Sequence, residues 1–473
     1  MNTSPASHET GSLTAVERHS IDYIPVEERH GRPYRLFFVW WSSNMQVTTI
    51  VTGVLAAIFG LSFPWALVAI VAGCLLGNVL AAAHSAQGPT LGIPQMIQSR
   101  AQFGFVGAIL PVALVLIMYI GFFSASNYLG AQALNASLPG VPVSAGIVVV
   151  AAATVLLAVL GYRAIHRAAE WSGYLFFVLF TVLTLTLWAR GLIPAAAWRF
   201  GPFQPGPFLL MLATAAIWVI SYAPYVSDYS RYLPEGVSRP RVFWFTFWGL
   251  LISSVWMLGL GALLGVALPK SIDAMVPVLL NLAGPFGLPV MVVIVLGIVF
   301  VDSLNAYGAA LCTLTLTEFG RDVLGHGRRA RVSVLIAVGL IAAVIGVAGQ
   351  QHFLTLYLNF LFLLLYLLIP WSAVNLIDFY VIQRGHYRTR DFFDASGPYR
   401  GLRWGATISY LVGFAVEIPF MNTVLYEGPV AHALNGGDVS WIIGAVVSAG
   451  CYLALSGGRR SAGPAVSPPA AAG

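Results

Sequence analysis

The run IWVISYAPYVSDYSR, residues 217–231, begins as a membrane helix and then stops behaving like one. The stretch LLMLATAAIWVI, starting at Leu209, is apolar, but Ser221, Tyr222 and Pro224 interrupt it and Asp228 and Arg231 follow. A proline removes a backbone donor and clashes with the carbonyl one turn back. In hydrocarbon, freed backbone groups persist only where protein buries them or a cavity solvates them. The break therefore predicts a lined cavity. A second break follows LFFVWW near the chain start: Ser42, Ser43, Asn44, Gln46, Thr48 and Thr49 come before apolar residues resume at Ile50. Two interrupted spans at corresponding places in two halves point to a transporter's binding site.

Composition sets the class. Hydrophobic residues make up 58% of the 473 and charged residues 9%. Soluble proteins carry about 25% charged residues, so this chain is expected to be an all-α polytopic membrane protein. Its net charge of +6 then reports orientation and not nucleic-acid binding. Cys74, Cys312 and Cys451 lie in apolar runs, which is neither a disulfide framework nor a metal cluster. The first 35 residues are polar and lack the apolar core of a signal peptide; they read as a solvated tail.

Apolar runs of ~20 residues place about twelve spans, at 36–61, 64–83, 105–132, 142–161, 170–190, 206–226, 241–267, 288–316, 332–349, 353–382, 404–421 and 439–456. With both termini in the cytoplasm, the outside keeps only Arg190, Arg199 and Lys270 of the 24 Lys and Arg residues, as the positive-inside rule requires. One missed or invented span would destroy that bias. The segment 84–104 reads as a cytoplasmic loop with a short interfacial helix near residues 95–101. The tail 457–473 is disordered by composition.

Charges inside spans mark function by default. Asp302 lies near the middle of the eighth span, where an Asp costs ~2.5–3.5 kcal/mol to insert. A cation, a proton or a hydrogen-bonding ligand must offset that. Ser303 is adjacent, and Asn305 follows three residues on, on a nearby helix face. Glu417 falls in the eleventh span and reads as a packing or interface residue. Asp228 and Asp378 end spans close to Arg231 and Arg384, which suits a salt bridge or a gate. Trp218 precedes the sixth-span break by three residues. Phe122 lies mid-span beside Gly121, near Ser124, Ser126 and Asn127. Aromatic faces with nearby amides and hydroxyls suit a flat, uncharged, hydrogen-bonding ligand. Enzyme chemistry is poorly supplied: there is no HExxH, CxxC, GxSxG or Walker sequence, and the nine histidines avoid the span centres. Gly259, Gly261 and Gly265 suit close helix packing.

The runs PVEERHGRPYRLFFVWWSSNMQVTT, GIPQMIQSRAQFG, SDYSRYLP and PWSAVNLIDFYVIQRGHY occur in that order over roughly residues 25–455. Together they resemble the nucleobase–cation symporter family, in its purine–cytosine permease branch. That resemblance implies a LeuT-like fold: two five-helix repeats of inverted topology at 36–190 and 206–382, helices 1 and 6 discontinuous, then two further helices at 404–456. It implies a cytoplasmic-membrane importer of a purine, a pyrimidine or a related heterocycle, working as a monomer in the bilayer, with no resident cofactor and no nucleic acid. It implies a base stacked between Phe122 and Trp218. Gln46, Ser126, Ser221, Tyr222 and Asn305 would reach its edge. The coupling ion, sodium or alternatively a proton, would lie among Ser42, Met45, Asp302 and Ser303. Family members often carry Trp where Phe122 stands, and a hydroxyl residue where Asp302 stands.

If the eighth-span amide faces the ligand, Asn305→Ala impairs substrate binding more than Asn127→Ala does. A buried amide that loses its partner costs ~1–3 kcal/mol. Titration of purified protein decides it, and the reverse order would put the third-span face on the ligand instead.

Overall fold

A computed structural model describes residues 23–160, 162–318 and 328–456. Among them the regular structure is helical, apart from a single bridge between Asn422 and Glu427. The longer helices, with two short ones at the breaks and loops, are α1 Tyr34–Ser43, α2 Val47–Ile58, α3 Phe63–Ser85, α4 Gln95–Gly107, α5 Ile109–Ser137, α6 Val143–Leu160, α7 Tyr162–Ala189 and α8 Pro205–Ile220. They continue as α9 Val226–Ser230, α10 Arg239–Ala267, α11 Met275–Leu282, α12 Gly287–Glu318, α13 Arg328–Gly349, α14 Phe353–Ile377, α15 Trp404–Glu417 and α16 Ser440–Ser456.

Helix lengths follow the composition. Six stretches of the described residues are long and apolar enough to cross a membrane unaided, while Val47–Ile58 and Pro205–Ile220 fall short. Those two are the pieces left where polar residues interrupt a span. α1 stops at Ser43, and Gln46 is extended (φ −145°, ψ 155°) before α2 starts. α8 stops at Ile220, and a turn over residues 221–225 leads to α9. Freed backbone groups are met locally: the Asn44 carbonyl accepts the Gln46 N–H and the Thr49 hydroxyl, each at 2.8 Å.

Packing falls into two groups. In one, α1 and α2 lie on α10, and α3 lies on α8 and α10. In the other, α5, α6, α12 and α13 pack on one another. Counted by spans, first-on-seventh and second-on-sixth exchange under a shift of five, as do third-on-ninth and fourth-on-eighth. That exchange is the signature of an internal repeat. α14 bridges from α8 and α5 to α16, and α15 packs against α16.

The glycine reading holds for Gly261. A Cβ there would meet the Ile50 carbonyl oxygen at 1.9 Å, and one at Gly53 would meet the Leu258 carbonyl at 2.0 Å. The α2–α10 crossing is thus backbone against backbone. Gly265 is also close, 3.0 Å from the Ala57 Cβ, whereas Gly259 meets only ordinary contact.

The helix expected near residues 95–101 forms as α4, Gln95–Gly107, but the segment 84–104 is not solvated: α3 runs through Ser85, and Gln95, Gln98, Ser99, Arg100 and Gln102 are all buried. Most of its polar groups bond one another, although the Gln95 Oε1 has no partner among the described residues. His84 bonds Ser372 at 2.9 Å and Gln95 at 3.0 Å, with its ring flat on Trp371. Gln87 donates to Asn375, Asn375 to Gln102, and Gln102 to Asp378. Asp378 therefore bonds Gln102, Tyr387 and Tyr452. The connection between α10 and α12 also holds a short helix, α11, that its polar flanks concealed.

Gly261→Ala forces the α2–α10 crossing apart, and overpacking of this kind costs ~1–3 kcal/mol. The melting temperature of detergent-purified protein falls, while Gly450→Ala, with open space around its Cβ position, leaves it in place. Equal melting would mean that the crossing tolerates a methyl group.

Candidate substrate site

One buried amide joins the two breaks. The Asn44 Oδ1 accepts the Trp218 indole N–H at 2.7 Å and the Tyr222 hydroxyl at 2.9 Å. Its Nδ2 donates to the Ser253 hydroxyl on α10 at 2.9 Å. The Tyr222 hydroxyl also reaches the Ser43 carbonyl at 3.2 Å, a group that the end of α1 leaves without its helical donor. On the other side, the Ser221 hydroxyl donates to the Trp218 carbonyl at 2.6 Å.

Beside this junction lies a cavity of about 150 Å³. The first break supplies Ser42, Ser43, Gln46 and Thr48; α5 supplies Tyr119, Phe122 and Ser126; the second break supplies Trp218, Ser221 and Tyr222; α12 supplies Asn305, Tyr307 and Gly308. Tyr225, Asp228, Tyr229 and Arg231 bound one end. Gln46, Phe122, Ser126, Trp218, Ser221, Tyr222 and Asn305, expected at the substrate, thus come together on one wall system. Asn127 does not join them. It is fully buried, and neither atom of its amide has a partner among the described residues.

The rings are arranged differently from the expected sandwich. Phe122 meets Trp218 edge to face, at 6.1 Å and 89° between planes. Two rings in contact at a right angle leave no parallel slot. A flat ligand would lie on one ring face, beside the polar wall. Phe360 of α14 backs Phe122 at 5.2 Å and 82°, filling the space that the missing Cβ of Gly121 leaves open.

The four expected cation residues divide. Ser42 lines the cavity, but its hydroxyl donates to the Val39 carbonyl at 2.9 Å and its carbonyl accepts the Met45 N–H at 3.0 Å. Met45 is fully buried among apolar side chains such as Ile50, Leu129 and Phe176. The Ser303 hydroxyl donates to the Phe300 carbonyl at 2.6 Å. Asp302 lies one layer behind the wall. It is fully buried, its Oδ1 accepts from Asn305 Nδ2 at 3.0 Å, and its Oδ2 has no partner among the described residues. Nearby, the Ser126 hydroxyl is 3.3 Å from that of Thr48. Asp228, read as a salt-bridge or gate residue, accepts the Gln95 N–H at 2.7 Å at the cavity's far end.

Sequence reasoning gave Asn44 no role of its own, although it stands in the quoted break. Its position inside a polar interruption of an apolar span was the available signal. Tyr119, Tyr225, Tyr229 and Tyr307 carried no signal, because a span tyrosine is equally an interfacial anchor.

Two interrupted helices crossing at a small cavity of aromatic rings and amides, within a membrane bundle whose packing repeats, make this a LeuT-fold transporter. The chain matches, over residues 23–444, the family described as permease for cytosine/purines, uracil, thiamine, allantoin. It is 41% identical over 440 residues to YxlA of Bacillus subtilis (strain 168), provisionally named a purine-cytosine permease, covering 93% of this chain and 96% of that one. It is 27% identical over 460 residues to the purine-cytosine permease fcyB of Emericella nidulans, covering 93% of this chain and 88% of the other. Among solved structures, Mhp1, a nucleobase-cation-symport-1 family transporter in a closed conformation with bromovinylhydantoin bound, superimposes with a TM-score of 0.73 at 18% identity, covering 94% of this chain and 95% of that one. The chain belongs to the cytosine/purine permease family: it is a multi-pass membrane permease and not an enzyme.

Trp218→Ala removes a ring face from the cavity, which for base–aromatic stacking is worth ~1–3 kcal/mol. Equilibrium titration should read about tenfold or more weaker ligand binding with the fold intact. Trp218→Phe keeps a face, loses the bond to Asn44, and falls between the two. Wild-type affinity in Trp218→Ala would move the ligand off this wall.

Proposed function

We propose that this permease imports a nucleobase of the purine or cytosine type across the cytoplasmic membrane, with both termini on the cytoplasmic side, as a functional monomer working by cation symport and alternating access. The observation that carries the reading is the cavity at the joined breaks. A volume of about 150 Å³ is on the scale of a small flat ring ligand, which is the size class of a free base. Trp218 and Phe122 offer ring faces, and Gln46 and Asn305 offer amides that pair with the donors and acceptors on a base edge. The names of the relatives support the same substrate class. Allantoin, a hydantoin or a vitamin-like heterocycle shares this chemistry and forms the alternative arm of the binding test.

The cation is assigned to Asp302. A carboxyl buried behind the substrate wall and bonded to Asn305, a wall residue, links the charge to the ligand through one side chain. The resemblance puts sodium first, with the carbonyls near Ser42 and Met45 and the Ser303 hydroxyl as oxygen ligands. We favour the proton on one observation: Asp302 Oδ2 has no hydrogen-bond partner among the described residues, and a proton needs only that oxygen.

Purified protein in proteoliposomes tests both parts. Adenine, guanine, hypoxanthine and cytosine are expected to bind and to drive proton uptake, by the reciprocity of linked binding. Asp302→Asn abolishes accumulation but leaves substrate exchange. Uptake that follows sodium and ignores pH would replace the proton with sodium. Normal accumulation by Asp302→Asn would make Asp302 structural, and binding of allantoin in preference to every base would change the substrate class.

A further inference from the structure

The last two long helices carry a carboxyl group that the transport cavity does not use. Glu417, at the end of α15, is fully buried, and neither of its oxygens has a hydrogen-bond partner among the described residues. Its Oε1 lies against Gly444 of α16, where a Cβ would stand 1.6 Å away. One turn along, the pairing reverses: Ser448 of α16 lies against Gly413 of α15, where a Cβ would stand 1.7 Å from its hydroxyl. That hydroxyl and the Trp441 indole N–H are also buried without partners. Each helix gives up a Cβ to seat a polar side chain of the other.

A second carboxyl group lies close by in a different environment. Asp438, just before α16, is fully buried and has four donors. Its Oδ1 accepts the Ser440 N–H at 2.9 Å and the Ser440 hydroxyl; its Oδ2 accepts the Asn422 N–H at 3.0 Å and the Tyr366 hydroxyl of α14. Asp438 is tied through the Asn422 N–H to the chain five residues past Glu417. Two turns back on the same face of α15 stands Tyr410, whose hydroxyl donates to the Leu367 carbonyl. In the adjoining loop, Glu427 and His432 pair with each other at 3.5 Å, exposed. Arg403, Asp378 and Tyr452 lie near the other end of the helix pair, about 20 Å away along α15 at 1.5 Å per residue.

Donors stabilise an ionised carboxylate, and a like charge destabilises it. Asp438 has the donors; Glu417 has none and has Asp438 beside it. We propose that Glu417 is a proton-binding site: it is a neutral carboxylic acid in the folded protein, and its proton holds α15 docked on α16. A metal cation would need several oxygen ligands around a gap, and the contact with Gly444 fills that space. A proton needs no gap. The site lies away from Asp302 and does not depend on which ion drives transport. It ties to the transport core through Tyr366, because α14 also carries Phe360 behind Phe122.

The proton is bound by the folded chain and not by the unfolded chain at neutral pH, so stability falls as pH rises. The full chain in lipid nanodiscs tests this on an Asp302→Asn background, which removes the other buried acid with an unpartnered oxygen among the described residues. Infrared spectra at neutral pH are expected to show a protonated-carboxyl C=O band that Glu417→Gln lacks. The melting temperature of the Asp302→Asn protein is expected to fall with alkaline pH, and that of Asp302→Asn/Glu417→Gln to stay level. If Glu417→Gln does not fold, the Asp302→Asn protein alone decides, by loss of the band under alkaline titration. No such band at neutral pH, a band that survives Glu417→Gln unchanged, or parallel pH–melting profiles would each overturn the proposal.

Discussion

Two helices that stop inside a membrane leave backbone groups that lipid cannot solvate, and the rest of the structure is arranged around the side chain that joins their ends. Asn44 is that side chain. Its oxygen takes two donors from the second break, Trp218 and Tyr222, and its nitrogen holds α10 through Ser253. The indole is thereby fixed with its ring toward the cavity and its N–H spent. A buried indole usually finds a partner for its N–H; here the partner also sets the relative position of the breaks.

That junction can form only if the helices come close. The crossing of α2 with α10 brings backbone to backbone at Gly53 and Gly261, as small residues permit in a medium where lipid tails are as apolar as leucine. α5 and α12 then close the opposite wall and bring Phe122, Ser126 and Asn305 to the same space. The cavity is small because every element around it is positioned by such close contacts.

A second set of polar residues is largely paired within the protein, with the Gln95 Oε1 left over. His84, Gln87, Gln95, Gln102, Asn375 and Asp378 form a buried hydrogen-bonded chain between α3, α4 and the end of α14. A satisfied network stiffens a core, and a partly satisfied one is costly. Most of this chain's polar groups find each other. Among the buried atoms without a partner in the described residues, those of Asp302 and Glu417 are the carboxylate oxygens.

The sequence by itself determined the class. A near absence of charge excludes a water-facing surface, and polar interruptions at 42–49 and 221–228 mark broken spans because the bilayer permits few alternatives. Seven residues that the family resemblance implied, Gln46, Phe122, Ser126, Trp218, Ser221, Tyr222 and Asn305, do line one cavity. Only the tertiary structure decided the rest. The segment 84–104 is polar enough to be a loop, yet it is buried, since hydrogen-bond partners 288 residues away in sequence, such as Asn375 for Gln87, are invisible in a local window. Whether Phe122 and Trp218 form a sandwich or an edge-to-face pair depends on side-chain packing that involves Phe360 on a third helix. Which of two buried acids is given donors, Asp438 or Glu417, depends on where α16 docks. Local composition fixes what a residue must avoid, and distant packing fixes what it meets.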